Sequence, residues 1–244
     1  GFVDGFVFHT ASKGILYART DMGGAYRWNT ASDSWIPLTD WIGRTSDNYG
    51  ILSIALDAQD TGKVYLLTGK YTNSWSSEYG YVLASDDGGR TFGQKTALHG
   101  KVGGNEDGRG AGERLAVDPN LGSVVMWAGT RWDSVCWGCA VQDTWRRGAL
   151  WKSSNRAASF DSVASGPAGN GLYVVFDPST GTPGTATKTI YASFDSSNAG
   201  APAIWRSKDA GATWALLPGQ PTGLISNHAT VAGSNVFFSF CNGL

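Results

Sequence analysis

An eight-residue template, Ser-x-Asp-x-Gly-x-Thr-aromatic, recurs along the chain and restricts its fold more than any other feature. It is clearest at Ser207-Lys208-Asp209-Ala210-Gly211-Ala212-Thr213-Trp214 and at Ser85-Asp86-Asp87-Gly88-Gly89-Arg90-Thr91-Phe92. Weaker echoes run from Ser153 to Phe160, where Asn155 replaces the Asp, and from Trp28 to Trp35. The terminal aromatics Trp35, Phe92, Phe160 and Trp214 lie 57, 68 and 54 residues apart. A second marker keeps the same phase: Leu56-Asp57, Val117-Asp118-Pro119 and Phe176-Asp177-Pro178, spaced 61 and 59. An apolar strand follows each marker, and a short strand such as Ala203 to Arg206 or Tyr81 to Ala84 precedes the template.

The template has the chemistry of a β-hairpin turn. Its Asp accepts backbone N–H groups, its Gly permits φ > 0, and its last aromatic returns to the core. Strands at this density, repeating every 55–60 residues or so, fit the four-stranded blades of a β-propeller. Only Glu78, Glu106 and Glu113 are glutamates, against 34 Gly and 11 Trp. That balance disfavours helices and disorder and favours short strands with tight turns. The octapeptide is the Asp-box of sialidases and other propeller families, where it is a structural turn remote from ligand. The expected fold is therefore all-β, a propeller with Asp-box (BNR-type) blades, and 244 residues hold about four to five of them. Strand-like sequence at both ends, with Gly at position 1, reads as an internal segment of a longer protein.

Several functions are disfavoured at once. A net charge of −1 gives neither nucleic acid nor an anionic membrane surface its basic partner. No apolar run approaches the ~18 residues of a membrane-spanning helix. The Gly-rich stretch 103–112 lacks G-x-G-x-x-G spacing and leads into a strand, which excludes a dinucleotide site. His9, His99 and His228 stand singly, and Cys136-x-x-Cys139 has no second pair, so no metal and no cofactor is expected. Carboxylates among aromatics and polar loops remain. That is the chemistry of sugars, whose C–H faces stack on Trp and Tyr and whose hydroxyls bind Asp, Asn and Arg. On residues alone Asp21, before Gly23-Gly24, reads first as a turn former and only second as a catalytic acid, while Glu106, Asp107 and Glu113 read as loop charges paired with Arg109 or Arg114.

Three stretches in order carry a family resemblance. They are Gly5 to His9 with Leu16-Tyr17-Ala18-Arg19-Thr20-Asp21-Met22-Gly23-Gly24-Ala25-Tyr26-Arg27-Trp28, then Gly69-Lys70-Tyr71-Thr72-Asn73-Ser74-Trp75, then Gly103 to Pro119. Over the first ~120 residues the chain resembles glycoside hydrolase family 74, the xyloglucanases and related oligoxyloglucan-specific cellobiohydrolases. The resemblance implies two seven-bladed propellers facing across a cleft, with this chain a partial N-terminal propeller and the second beyond Leu244. It implies cleavage of the β-1,4-glucan backbone of xyloglucan with inversion. Asp21 would be the general base and an Asp of the second propeller the acid, separated by ~6.5–9.5 Å. Arg19 or Arg27 would favour the Asp21 anion if either points inward. Tyr26, Tyr71, Trp75, Asn105, Glu106 and Arg109 are the substrate-contact candidates, each with a purely structural alternative. The protein is expected to be secreted, extracellular and monomeric, and the 244-residue piece inactive without its acid.

Two departures from the family and two rival readings complete the expectations. Arg131 to Arg147 is longer than the turn expected there, and the box at 153–160 has lost its Asp and Gly, which predicts a looser hairpin. A non-catalytic Asp-box propeller binding protein or glycan is the alternative function. A sialidase is disfavoured, since only three Glu are available and no sialidase pattern surrounds Arg19.

Overall fold

A computed structural model of the chain describes residues 3–72, 76–98, 102, 111–129, 150–167, 169–197 and 201–241. Among these residues the strands form five antiparallel meanders. The first sheet joins β1 (Val3–Phe8), β2 (Leu16–Thr20), β3 (Ala25–Asn29) and β4 (Ser34–Pro37). The second joins β5 (Ser53–Leu56), β6 (Val64–Leu67), β7 (Tyr81–Ser85) and β8 (Gln94–Ala97). The third contains β9 (Leu115–Val117), β10 (Val125–Ala128), β11 (Leu150–Ser153) and β12 (Asp161–Ser162). In the fourth are β13 (Gly169–Phe176), β14 (Ile190–Ser197), β15 (Ala203–Ser207) and β16 (Ala215–Leu216). A hairpin of β17 (Ile225–Ala232) and β18 (Asn235–Cys241) follows. This is the predicted all-β propeller architecture, with β5, β9, β13 and β17 as successive neighbours.

The core is divided among the seams between sheets, and the period-2 alternation of each strand decides which seam receives which side chain. On β6, Val64 and Leu66 face the first sheet, packing with Tyr17, Ala25 and Leu38. Tyr65 and Leu67, on the opposite face, join Leu115, Val125 and Trp127 of the third sheet. On β10, Met126 and Ala128 turn instead to Val174, Ile190 and Phe194 of the fourth. Strands buried on both faces read as continuous apolar runs, as β6 and β10 do. Each such side chain contributes about 1.5–3 kcal/mol by leaving water.

The box turns close the third and fourth strands of these sheets. Ser85 Oγ accepts from Gly89 N–H at 2.8 Å, while Asp87 accepts from the Thr91 amide at 2.9 Å and its hydroxyl at 2.7 Å. Ser207, Asp209, Gly211 and Thr213 repeat the pattern. The turn at 153–160 is not looser. Asn155 Oδ1 accepts from Ser159 N–H at 3.0 Å, its amide donates to Ser159 Oγ at 2.9 Å, and Ser153 Oγ accepts from Ala157 N–H at 2.9 Å. An amide replaces the carboxylate bond for bond. What the turn loses is backbone ease: Arg156 and Ala157 take φ of 59° and 61°, where the second sheet has Gly88 and Gly89, at a cost of roughly 1–2 kcal/mol per residue.

The exposed carboxylates of these turns titrate low. Bonds from the Thr91 amide and hydroxyl, then from Ser85, hold Asp87 at about 2 instead of 3.8. For Asp209 the Thr213 hydroxyl leads, then its amide and Ser207, again to about 2. A lowered folded-state value stabilises above the unfolded value and is lost as pH falls through the folded one. The chain is therefore expected to lose stability between about pH 4 and pH 2. The double variant Asp87→Asn/Asp209→Asn, which repeats at both turns the amide already present at Asn155, should show a shallower loss in urea midpoints across that window.

The template's final aromatic does not always reach a core. Phe160 is buried, and Phe92 and Trp214 pack partly against seams. Trp35 is 38% exposed. Its register partner is Trp28, and it stacks on Phe6 at 6.0 Å. That aromatic face is the one the first sheet turns away from the second. The other marker stitches sheets together: Asp118 accepts from the Thr187 amide at 2.8 Å, and His9 Nε2 meets the Asp57 carbonyl at 3.0 Å.

Candidate active site

Strand β2 ends at Thr20, and a hydroxyl-closed turn carries the chain past Asp21. Thr20 Oγ1 accepts from Gly23 N–H at 2.9 Å and donates to the Gly24 carbonyl at 3.0 Å. Gly24 sits at φ 85°, and a Cβ there would lie 2.0 Å from Thr39 Oγ1. Thr39 Oγ1 in turn accepts from Ala25 N–H at 2.9 Å. The Thr-Asp-Met-Gly-Gly sequence thus fixes where β3 begins and leaves Asp21 only 7% exposed.

The loop after β6 supplies what holds it. Lys70 N–H bonds the Gly50 carbonyl at 3.3 Å, and Thr72 Oγ1 donates to Gly69 O at 2.7 Å and accepts from Val102 N–H at 2.8 Å. This clamp directs Lys70 inward until its side chain has no exposure. Lys70 Nζ stands 3.1 Å from Asp21 Oδ1 and also hydrogen-bonds Asp4 Oδ2 on β1. Tyr71 Oη donates to Asp21 Oδ1 at 2.7 Å. The Tyr71 ring stacks on Tyr49 with centroids 5.2 Å apart. Burial, then the negative charges of Asp21 and Asp47, push the Tyr49 phenol up. An ammonium and a phenol O–H on one carboxylate oxygen both favour the ionised acid.

A second charged group backs the first. Arg19, buried on β2, donates from Nε to Glu113 Oε1 at 2.8 Å and from Nη2 to the Ala111 carbonyl at 2.9 Å. Its Nη1 lies 3.9 Å from Asp4 Oδ2. Glu113 Oε2 accepts from Ser53 Oγ and Ile54 N–H, both at 2.6 Å. One carboxylate therefore ties the first sheet, the second and the entry to β9. The arrangement presents a nearly buried, ionised, geometrically fixed carboxylate at a strand end, suited to taking a proton from water.

The sequence candidates separate in space. Asp21 and Tyr71 come together. Tyr26, on β3, instead lines two surface cavities of ≈ 310 and ≈ 300 Å³ that flank Met22 and Gly23 and are not lined by Asp21. Trp75, Asn105, Glu106 and Arg109 lie outside the described residues, as do the 131–147 stretch, Cys136, Cys139 and His99. Glu113 pairs with Arg19, while Arg109 lies outside the described residues. Arg19 does point inward, yet it serves Glu113 and Asp4, and among the described residues Lys70 is the cation paired with Asp21. Arg27 faces the seam beside Gly88. Lys70, Asp4 and Tyr49 were not singled out from sequence. Lys70 stands between Gly69 and Tyr71 in the stretch that runs to Trp75, and Asp4 is an acid within an otherwise apolar strand, a placement that ordinarily needs a partner.

No family model matches the chain. A xyloglucanase of Paenibacillus sp is 41% identical over an alignment of 263 positions, which covers 100% of this chain and 24% of that protein. Xyloglucanase Xgh74A of Acetivibrio thermocellus is 38% identical, covering 98% of this chain and 28% of its own length. The crystal structure of the GH74 xyloglucanase from Xanthomonas campestris superposes with a TM-score of 0.84 at 36% identity, over 98% of this chain and 34% of that one. The chain thus spans about a quarter of the length of the curated relatives it matches.

Proposed function

The chain belongs to glycoside hydrolase family 74, and from that membership we propose that it forms one wall of a site that hydrolyses the β-1,4-glucan backbone of xyloglucan with inversion. Asp21 is the general base. It deprotonates a water on the face of the sugar opposite the leaving group, while a second carboxyl protonates the glycosidic oxygen. That acid belongs to a second propeller outside these 244 residues, for which the relatives' greater length leaves room. The observation that carries the reading is the Asp21 carboxylate itself, set at the end of β2 in Arg19-Thr20-Asp21-Met22-Gly23-Gly24 and kept anionic by Lys70 and Tyr71.

The remaining assignments follow from the same reading. Tyr26, Trp75, Asn105, Glu106 and Arg109 contact the glucan chain. Tyr71 contributes by holding Asp21, with its stacked partner Tyr49 beside it. The protein is a secreted monomer acting on plant cell-wall polysaccharide, and the piece of 244 residues hydrolyses nothing alone because one carboxyl of the pair is elsewhere.

The test is stereochemical. Proton NMR of xyloglucan digested by the full-length protein should show the α-anomer as the first product, before mutarotation. Initial β-anomer would mean a covalent glycosyl-enzyme, and Asp21 would not be the base of an inverting reaction.

A further inference from the structure

Asp21 shares its cation with another acid. Lys70 Nζ lies between Asp21 Oδ1, at 3.1 Å, and Asp4 Oδ2, to which it hydrogen-bonds. The side chains of Lys70 and Asp4 are both wholly shielded from solvent. Asp4 Oδ1 is buried without a hydrogen-bond partner among the described residues. A carboxylate so poorly satisfied is a costly way to stabilise a fold, since desolvation rivals the attraction it gains. Its other effect is electrostatic. With Asp4 ionised, the Lys70 charge is divided between two carboxylates. Without it, Asp21 would face an undivided ammonium, which lowers the affinity of its carboxylate for a proton.

Among the described residues, the other groups near Asp21 are these. Tyr71 and Tyr49 are phenols, uncharged near neutrality, and Asp47 is a further acid whose charge reaches Tyr49. Arg19 donates to Glu113 and the Ala111 carbonyl, and its Nη1 lies 3.9 Å from Asp4 Oδ2, so this second cation faces Asp4 and pairs with Glu113. Tyr71 acts oppositely to Asp4: its O–H stabilises the anion on Oδ1 directly.

We propose that Asp4 is a positioning residue for Asp21, acting through Lys70 to keep the Asp21 carboxylate basic, with Tyr71 as the opposing control on the same oxygen. The proposal rests on the reading of Asp21 as general base. It implies that the two neighbours shift the acid limb of activity in opposite directions, which loss of structure cannot do.

The experiment is the pH dependence of kcat/KM for xyloglucan hydrolysis by the full-length protein and three variants. Asp4→Asn should move the acid limb to lower pH by about one unit and lower kcat by roughly three- to tenfold, with KM unchanged because Asp4 reaches no substrate. Tyr71→Phe should move the limb to higher pH by about half to one unit. Limbs that stay in place, or that move together, overturn the proposal. Tyr71→Phe leaves every buried charge intact and is the opposing control; if Asp4→Asn does not fold, Asp4→Ser removes the same charge with a smaller side chain and must move the limb to lower pH, an unmoved limb there overturning the role of Asp4. Asp21→Asn is the separate control: wild-type turnover there would remove the base reading itself, whereas an inactive Asp21→Asn with unmoved limbs would remove only the role of its neighbours.

Discussion

Replacing Asp21 by asparagine in the full-length protein is expected to lower xyloglucan turnover by about 10³-fold, within the range ascribed to a general base. Asparagine has the shape of aspartate, and its amide oxygen still accepts from Tyr71 and Lys70 at the positions now held by Oδ1. The variant therefore stays folded while losing the only lone pair basic enough to take a proton from water. The measurement is kcat on xyloglucan beside a thermal melt of the same preparation. A purely architectural Asp21 would show the reverse pattern, a lowered melting temperature with near-normal kcat in the protein that remains folded. Reducing-sugar release within tenfold of wild type would end the case for this residue as base.

The largest effect on stability is expected at Lys70. Lys70→Met preserves length and volume but leaves Asp4 and Asp21 buried with their shared cation gone. Removing one partner of a buried ion pair costs about 3–5 kcal/mol, because the remaining charge is uncompensated. In a chain of this size that lowers Tm by roughly 10 °C. Guanidinium unfolding of Lys70→Met, Asp4→Asn and the double variant closes the cycle. The double variant should be more stable than Lys70→Met alone, since one stranded carboxylate has been neutralised. Simple additivity of the two losses would show that Asp4 and Lys70 are not coupled.

The fold was legible because the propeller writes its period into the chain. Leu56-Asp57, Val117-Asp118 and Phe176-Asp177 mark the ends of β5, β9 and β13, and the box turns follow β7, β11 and β15. The box is local turn chemistry, and the aspartates of the other marker, besides their bonds between sheets, accept from the amide two residues on, so both leave a signal close in sequence. Asp21 was picked out only through the family resemblance of a contiguous motif at the end of β2, since its own neighbourhood reads as a turn. Lys70 and Asp4 were not, because their meaning is a contact between residues 66 apart in sequence. A lysine is ordinarily exposed, and nothing adjacent to residue 70 announces burial. Glu113 misled for a related reason: Arg114 beside it suggested a local partner, whereas the bond goes to Arg19, 94 residues away. The turn at 153–160 misled in the other direction, since the loss of Asp and Gly did not remove the hydrogen bonds that Asn155 still makes.

The division of the core among seams governs what happens while the chain is being made. When the ribosome has delivered the second sheet, Tyr17, Leu66 and their neighbours can close at once. Tyr65, Leu67 and Val82 face the other way and wait for Leu115, Val125, Trp127 and Trp151, the last of which follows Tyr65 by 86 residues. At ~5–20 residues per second that interval lasts several seconds, during which a flat apolar surface lies open to solvent. Each new sheet covers the surface left by its predecessor and opens one of its own. The nascent propeller thus always carries one uncovered apolar face, which moves along the chain with synthesis and gives a holdase a binding surface at each sheet in turn.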